Sequence, residues 1–87
     1  MKWLTIMLAE IRLPELGVPS AVLSVWFAEV GETVFEGDRL VEVLIAGATF
    51  DVSAPVTGRL VEKSAWPDQR LVSGQVLGLI EGDGVTE

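Results

Sequence analysis

The chain repeats itself at a distance of 37 residues, and this repeat restricts its fold more than any other feature. When the sequence is shifted by 37 residues without gaps, each half reads as a strand, a turn, an apolar residue, a Gly-containing turn and another strand. Two such halves predict a pseudo-twofold fold in which each half adds strands to the other's sheet; chance similarity between two β-rich segments is the alternative. The coinciding pairs are Leu23 with Leu60, Ala28 with Ala65, Val34 with Leu71, Gly37 with Gly74, Asp38 with Gln75, Leu40 with Leu77, and Val43 with Ile80.

Short runs of Val, Ile, Leu and aromatic residues, separated by turn residues, indicate strands rather than helices. No stretch of a dozen residues has apolar positions at helical spacing without a nearby Gly or Pro. Eight short strands in a chain of 87 residues predict an all-β sandwich or barrel. The predicted strands are Ala9–Leu13, Ala21–Phe27, Leu40–Ile45, Thr49–Val52, Gly58–Lys63 and Val76–Ile80, with shorter extended pieces at Thr33–Phe35 and Arg70–Val72.

The strand patterns predict which side chains face the core. Val43 and Ile80 are expected to be buried at equivalent places in the two halves. Trp26 and Phe27 cannot both face the core of one sheet, so one of them is expected to cover the other half or to stay exposed.

Composition excludes several classes of function. A net charge of −7 with six basic residues argues against nucleic acid and against an anionic membrane surface. Without Cys or His, the chain lacks thiol catalysis, disulfides, most zinc sites and the usual general base. The carboxylate pairs Glu29 with Glu32 and Glu36 with Asp38 fall in turns and are interpreted as solvated charges. We therefore expect no catalytic residues, no metal site and no independent enzyme.

The two ends of the chain are predicted to lie outside the domain. Residues 1–8 contain Lys2 followed by an apolar run that Thr5 interrupts, and we interpret them as an extension and not as a cleaved signal. Residues 9–82 are expected to form the domain, and residues 83–87 a flexible tail. A cytoplasmic location is the accompanying expectation.

Four segments combine turn and strand residues in a recognisable order: Ile11–Gly17, Glu29–Val43, Ala54–Leu60 and Val72–Ile80. Together they resemble the lipoyl domains of 2-oxo acid dehydrogenase acyltransferases, which are close in fold to biotinyl carrier domains. Glu29–Val43 resembles the first half of a lipoyl domain, and Ile11–Gly17 its first strand and the following turn. Ala54–Leu60 resembles the stretch after the modified hairpin, and Val72–Ile80 the closing strand pair. The resemblance covers about residues 9–82. It implies a barrel-sandwich hybrid, which is a flattened barrel of two four-stranded antiparallel sheets with pseudo-twofold symmetry.

The resemblance fails at the residue that carries the cofactor. The family has a lysine at a hairpin tip, to which lipoate or biotin is attached, whereas ungapped alignment places Ala46, Gly47 and Ala48 there, with Gly47 at the lysine position. Leu44 stands where lipoyl domains commonly have Glu. Gly31, expected in the loop beside the hairpin, is retained.

Attachment of either cofactor needs a primary amine, and Gly47 has no side chain. The only lysines are Lys2, in the extension, and Lys63, which is interpreted as a solvated strand lysine. We therefore expect no bound cofactor.

Three hypotheses follow. The first is a lipoyl/biotinyl-like domain without its attachment lysine, which acts as a protein-binding or assembly module with a partner in a 2-oxo acid dehydrogenase or carboxylase-type complex. The second is a genuine lipoyl or biotin carrier of an acyl- or carboxyl-transfer complex, either modified at Lys63 or acting with a cofactor bound elsewhere. The third is a structural barrel-sandwich adaptor domain.

Overall fold

A computed structural model describes residues 3–17 and 20–86, with side chains described for 6–17 and 20–82. These residues form eight strands and no helix, so none of them forms a helix that could cross a membrane. Sheet A has the strand order β1-β8-β6-β3, and sheet B has the order β5-β4-β2-β7; all pairs are antiparallel. The strands are β1 (Trp3–Arg12), β2 (Ala21–Trp26), β3 (Thr33–Val34), β4 (Arg39–Ile45), β5 (Ala48–Ser53), β6 (Gly58–Lys63), β7 (Arg70–Leu71) and β8 (Val76–Thr86).

The two sheets are related by the 37-residue repeat. Strands β2, β3 and β4 begin 37 residues before β6, β7 and β8, respectively. Strands β5 and β1 take equivalent outer places, since β5 pairs with β4 and β1 pairs with β8. Each sheet contains strands from both halves of the chain. The predicted all-β fold of two four-stranded antiparallel sheets with pseudo-twofold symmetry is confirmed.

The repeat extends to individual hydrogen bonds in the turns. The Asp38 carboxylate accepts a hydrogen bond from the backbone N–H of Phe35 at 2.9 Å, and the Gln75 side chain accepts one from Val72 at 3.0 Å. These turns connect the short strands β3 and β7 to the long strands that follow. The side chains of Asp38 and Gln75 therefore hold equivalent turns in the two halves.

One apolar core lies between the sheets. Val43 and Ile80 are both fully buried, as their equivalence in the repeat predicts. Trp26 is half-buried against this core and donates its indole N–H to the carbonyl of Ala65 at 2.9 Å, while Phe27 is exposed. Trp26 thus covers the other half of the chain. The core consists of Ile11, Leu13, Ala21, Leu23, Ala28, Val34, Leu40, Val41, Val43, Val52, Ala54, Leu60, Ala65, Leu71, Leu77 and Ile80.

Strands β1 and β8 are longer than the sequence predicts. Strand β1 begins at Trp3 instead of Ala9, and β8 continues to Thr86 instead of ending at Ile80. Most of the expected extension and tail pair with each other, with Trp3 opposite Thr86. The outer parts of β1 and β8 supply each other's hydrogen-bond partners, so the local sequence of either segment alone does not predict a strand there. Residues 1, 2 and 87, which include Lys2 of the expected extension, lie outside the described residues.

Candidate functional site: the β4–β5 hairpin

The hairpin tip (Ala46, Gly47 and Ala48) contains a tight two-residue turn. Ile45 pairs with Ala48, and the two residues between them, Ala46 and Gly47, have φ angles of 50° and 83°. Positive φ at both central positions is the requirement of a type I′ hairpin turn. Gly meets this requirement without strain, whereas Ala46 adopts a conformation that L-residues with a Cβ disfavour. The turn therefore suits Gly47 on backbone grounds.

All three residues of the tip are exposed. A Cβ added at Gly47 would meet no atom within 4 Å. A long side chain at this position would therefore extend into open space. Gly47 itself has no side-chain atom in this space.

A row of side chains from four strands borders the tip on the outer surface of sheet B. Arg70 lies opposite Val22, Val22 opposite Leu44, and Leu44 opposite Thr49. Directly opposite residues in neighbouring strands share a face of the sheet. We call these four residues the hairpin face. Leu44 is 39% exposed and is the apolar centre of this face.

Sequence reasoning identified Leu44 but missed Val22, Thr49 and Arg70. These residues come from three other strands, and only the pairing register brings them beside the tip. No local pattern in the sequence marks them.

Gly31 does not lie beside the hairpin, and the prediction that it does is wrong. Strand β2 runs from Val22, opposite Leu44 near the tip, to Trp26, opposite Val41. Gly31 follows the end of β2 and therefore lies beyond the far end of β4. Its N–H donates to the carbonyl of Leu60 at 2.7 Å with a φ of 96°, so this glycine serves a turn.

Lys63 is more enclosed than the sequence suggests. Its side chain is 12% exposed, and its Nζ lies 3.6 Å from a carboxylate oxygen of Glu29. The Nζ also lies 5.1 Å from the ring centroid of Trp26. Trp26 and Lys63 are equivalent positions of the repeat, so the two side chains meet beside the pseudo-twofold axis. This amine is therefore held against the domain on a strand of sheet A, whereas the hairpin belongs to sheet B.

Two of the four carboxylates singled out in the sequence, Glu32 and Asp38, accept hydrogen bonds within turns. The Glu32 carboxylate accepts a hydrogen bond from the Glu29 N–H at 3.0 Å, as Asp38 does from Phe35. Glu36 receives no such role; its backbone N–H donates to the hydroxyl of Thr57 at 2.9 Å. Across the described residues, no three acidic side chains gather into a group suited to a metal ion.

Comparison with known proteins places this fold and hairpin in a family. The family model for biotinyl and lipoyl domains, described as "Biotin-requiring enzyme", matches residues 9–80. The chain therefore belongs to the biotinyl/lipoyl domain family.

Two curated relatives are acyltransferase components of dehydrogenase complexes. The chain is 36% identical over 77 residues to the dihydrolipoyllysine-residue succinyltransferase component of the 2-oxoglutarate dehydrogenase complex of Bartonella vinsonii subsp. berkhoffii. It is 33% identical over 78 residues to the lipoamide acyltransferase component of the branched-chain alpha-keto acid dehydrogenase complex of Pseudomonas aeruginosa. These alignments cover 86% and 85% of the chain but only 19% and 18% of the relatives. The chain thus spans less than a fifth of each relative's length.

A solved structure supports the fold independently. The lipoyl domain of the 2-oxoglutarate dehydrogenase complex from Azotobacter vinelandii superimposes with a TM-score of 0.67. The match covers 82% of the chain and 92% of that domain at 20% sequence identity. The chain therefore has the fold of a lipoyl domain.

Proposed function

We propose that this domain works in an acyl- or carboxyl-transfer complex as a binding module recognised through its hairpin, without carrying a covalently attached cofactor. The observation that carries the proposal is Gly47 at the tip of the β4–β5 hairpin. An amide-linked lipoyl or biotinyl arm needs an amine at a projecting position, and this position has no side chain. The intact, exposed turn retains the shape that a partner would recognise.

The hairpin face gives that partner something to bind. Leu44 and Val22 supply apolar area next to the tip, while Arg70 and Thr49 supply a charge and a hydroxyl at its two sides. An apolar centre with polar neighbours is typical of protein-binding surfaces. The relatives, which are components of 2-oxo acid dehydrogenase complexes, favour a partner from such a complex.

Membership of a carrier family favours a second candidate, a genuine carrier domain. The curated relatives support this candidate more strongly than the first, because their names describe lipoyl chemistry. In this chain a carrier would have to use Lys2 or Lys63. The enclosed position of Lys63 argues against that lysine as a ligase substrate.

Intact-mass measurement after co-expression with lipoate ligase and biotin ligase separates the two candidates. We expect the wild-type chain to gain no lipoyl or biotinyl mass. Gly47→Lys restores an amine at an open position, and we expect partial modification because Leu44 and Ala46 still differ from the lipoyl pattern. Added mass on the wild-type chain, mapped by digestion to Lys2 or Lys63, would establish the carrier function instead.

Binding is tested by NMR titration of the labelled domain with a dehydrogenase component of such a complex. Chemical-shift changes are expected at Leu44 and its neighbours, and Leu44→Asp should abolish them. Phe35→Asp, at an exposed turn residue outside the hairpin face, is the matched control and should leave binding unchanged. Changes confined to the turn around Phe35 would argue against recognition through the hairpin.

A further inference from the structure

Strand β1 is the long unprotected sheet edge within residues 3–17 and 20–86. Four strands lie at sheet edges, and two of them, β3 and β7, are only two residues long. The edge strand β5 has six residues and carries Asp51, whose carboxylate lies 3.5 Å from the guanidinium of Arg39. Short length and charge are the devices by which sheet proteins prevent edge-to-edge association. Strand β1 has ten residues, and none of the seven from Trp3 to Ala9 is charged.

Apolar side chains on both faces of β1 are exposed. Ile6 is 59% exposed, Met7 55% and Leu8 60%. Successive residues of a strand point to opposite faces. Ile6 and Leu8 therefore share one face, and Met7 lies on the other, which further along the strand carries the buried Ile11. An exposed apolar run that covers both faces of an edge strand is a site of association.

The exposed run lies where β1 and β8 leave the body of the domain. Met7 pairs with Gly82, and this pair is equivalent to Ala48 and Ile45, which close the β4–β5 hairpin. Beyond this pair the chain turns in sheet B, whereas in sheet A the two strands continue for four more residues each. The molecule is accordingly elongated, with extents of 52 × 23 × 19 Å. A projecting two-stranded ribbon has marginal stability alone in water, so further pairing would stabilise it.

We propose that β1 pairs antiparallel with β1 of a second copy of this chain and joins two copies of sheet A into one continuous eight-stranded sheet. With a twofold axis perpendicular to the sheet near Met7, Ile6 of one copy lies opposite Leu8 of the other on the same face. The unpaired N–H and C=O groups of each edge supply the hydrogen bonds. Such a contact is self-complementary and closes at two copies.

Charge favours a second copy over a charged peptide as the occupant. The uncharged run gives no like charges that would face each other across the twofold axis, and it offers no ionic partner to a charged peptide. Along β1 itself, the nearest described charges are Glu10 and Arg12, which form an ion pair with a separation of 2.6 Å. On the neighbouring strand, Glu81 lies opposite Leu8, and its carboxylate is 3.6 Å from the guanidinium of Arg59. Repulsion between two chains of net charge −7 opposes association, and salt screens it. The dimer should therefore strengthen as ionic strength rises.

Sedimentation equilibrium of the full chain over a range of concentrations and salt tests the proposal. We expect the mass to rise from 9.4 kDa towards twice that value, and to do so at lower concentration in high salt. A mass that stays at 9.4 kDa under all conditions, or that passes the dimer, would overturn the proposal.

Leu8→Lys is the variant that tests the edge. Leu8 pairs with Glu81 of β8, so a lysine there forms a favourable cross-strand pair within the monomer while placing a charge in the apolar contact. We expect this variant to be monomeric, and its unfolding midpoint to equal that of the wild type at concentrations low enough for the wild type to be monomeric as well. Phe35→Lys adds the same charge at an equally exposed position and should remain dimeric. A dimer that both variants weaken equally, or that neither weakens, would place the contact elsewhere.

Amide hydrogen exchange tests the same β1 contact in the wild-type chain, without any substitution. The amides of β1 that do not face β8 should become protected as concentration rises, while those of the two-residue edges β3 and β7 should not change. Concentration-independent exchange across β1 would contradict the proposal.

Discussion

Gly58 lies where two strands of sheet A approach too closely for any side chain. A Cβ at this position would collide with the carbonyl oxygen of Glu81 and would lie 2.8 Å from Cγ2 of Ile80. Neither atom moves freely, since one belongs to the backbone and the other to a fully buried side chain. This close approach explains the glycine in the Ala54–Leu60 segment that resembles the family.

Gly58→Ala is therefore expected to lower the free energy of unfolding by about 1–3 kcal/mol, the usual cost of overpacking. Urea denaturation followed by Trp fluorescence measures it. Arg59→Ala, at the exposed next position, is the control and should stay within about 0.5 kcal/mol of wild type. If Gly58→Ala lowered the free energy of unfolding no more than Arg59→Ala does, the backbone around Gly58 would be able to move away from Glu81 without cost.

The position of Lys63 makes its amine less reactive than one at the hairpin tip. Contact with Trp26 and Glu29 restricts the approach of a reagent, whereas the tip is open. In the Gly47→Lys variant, an amine-reactive ester should label the introduced lysine faster than Lys63, as peptide mapping would show. The urea-unfolded chain is the control, in which both lysines should react at similar rates. Equal rates in the folded chain would show that Lys63 is accessible.

Strands β4 and β8 occupy equivalent central places in their sheets, and their buried residues should contribute equally. Val43→Ala and Ile80→Ala are each expected to lower the free energy of unfolding by about 2–3 kcal/mol, from lost burial and the cavity that remains. Leu44→Ala, at the exposed neighbouring position of β4, should cost less than about 1 kcal/mol. A denaturation midpoint unchanged by Val43→Ala would show that the assignment of strand faces is wrong.

The sequence predicts where the strands lie along the chain far better than it predicts which segments lie beside one another in the fold. The starts of β2, β4 and β6 agree with prediction within one residue, because turn residues mark them locally. The ribbon of β1 and β8 was missed because its two strands stabilise each other across the whole length of the chain. The predicted position of Gly31 beside the hairpin is wrong for a related reason. Only the register of β2 against β4 decides which loop borders the hairpin. Local residue types therefore predict the strands, whereas the residues beside the hairpin depend on how the strands pair.

Neither half of the chain holds a sheet of its own. When the chain is divided after Gly47, sheet A takes β1 and β3 from the first half and β6 and β8 from the second. Sheet B takes β2 and β4 from the first half and β5 and β7 from the second. The core likewise contains Leu23 and Val43 from one half and Leu60 and Ile80 from the other. We expect fragments 1–47 and 48–87 to be unfolded alone, with poorly dispersed amide resonances, and the whole chain to unfold in one transition. A folded fragment would contradict this dependence.

The equivalence of the two sheets makes the hairpin and the chain ends interchangeable. Ala46 and Gly47 correspond through the repeat to Asp83 and Gly84, which lie on the ribbon where β1 and β8 run side by side. A circular permutant that joins the original ends by a short turn and opens at Gly47 would keep every strand pair of both sheets. Such a chain would begin with β5 and end with β4, and its new ends would emerge where the family carries its cofactor. Any segment fused to one of these new ends would extend from the hairpin tip, as an attached arm does in a carrier domain.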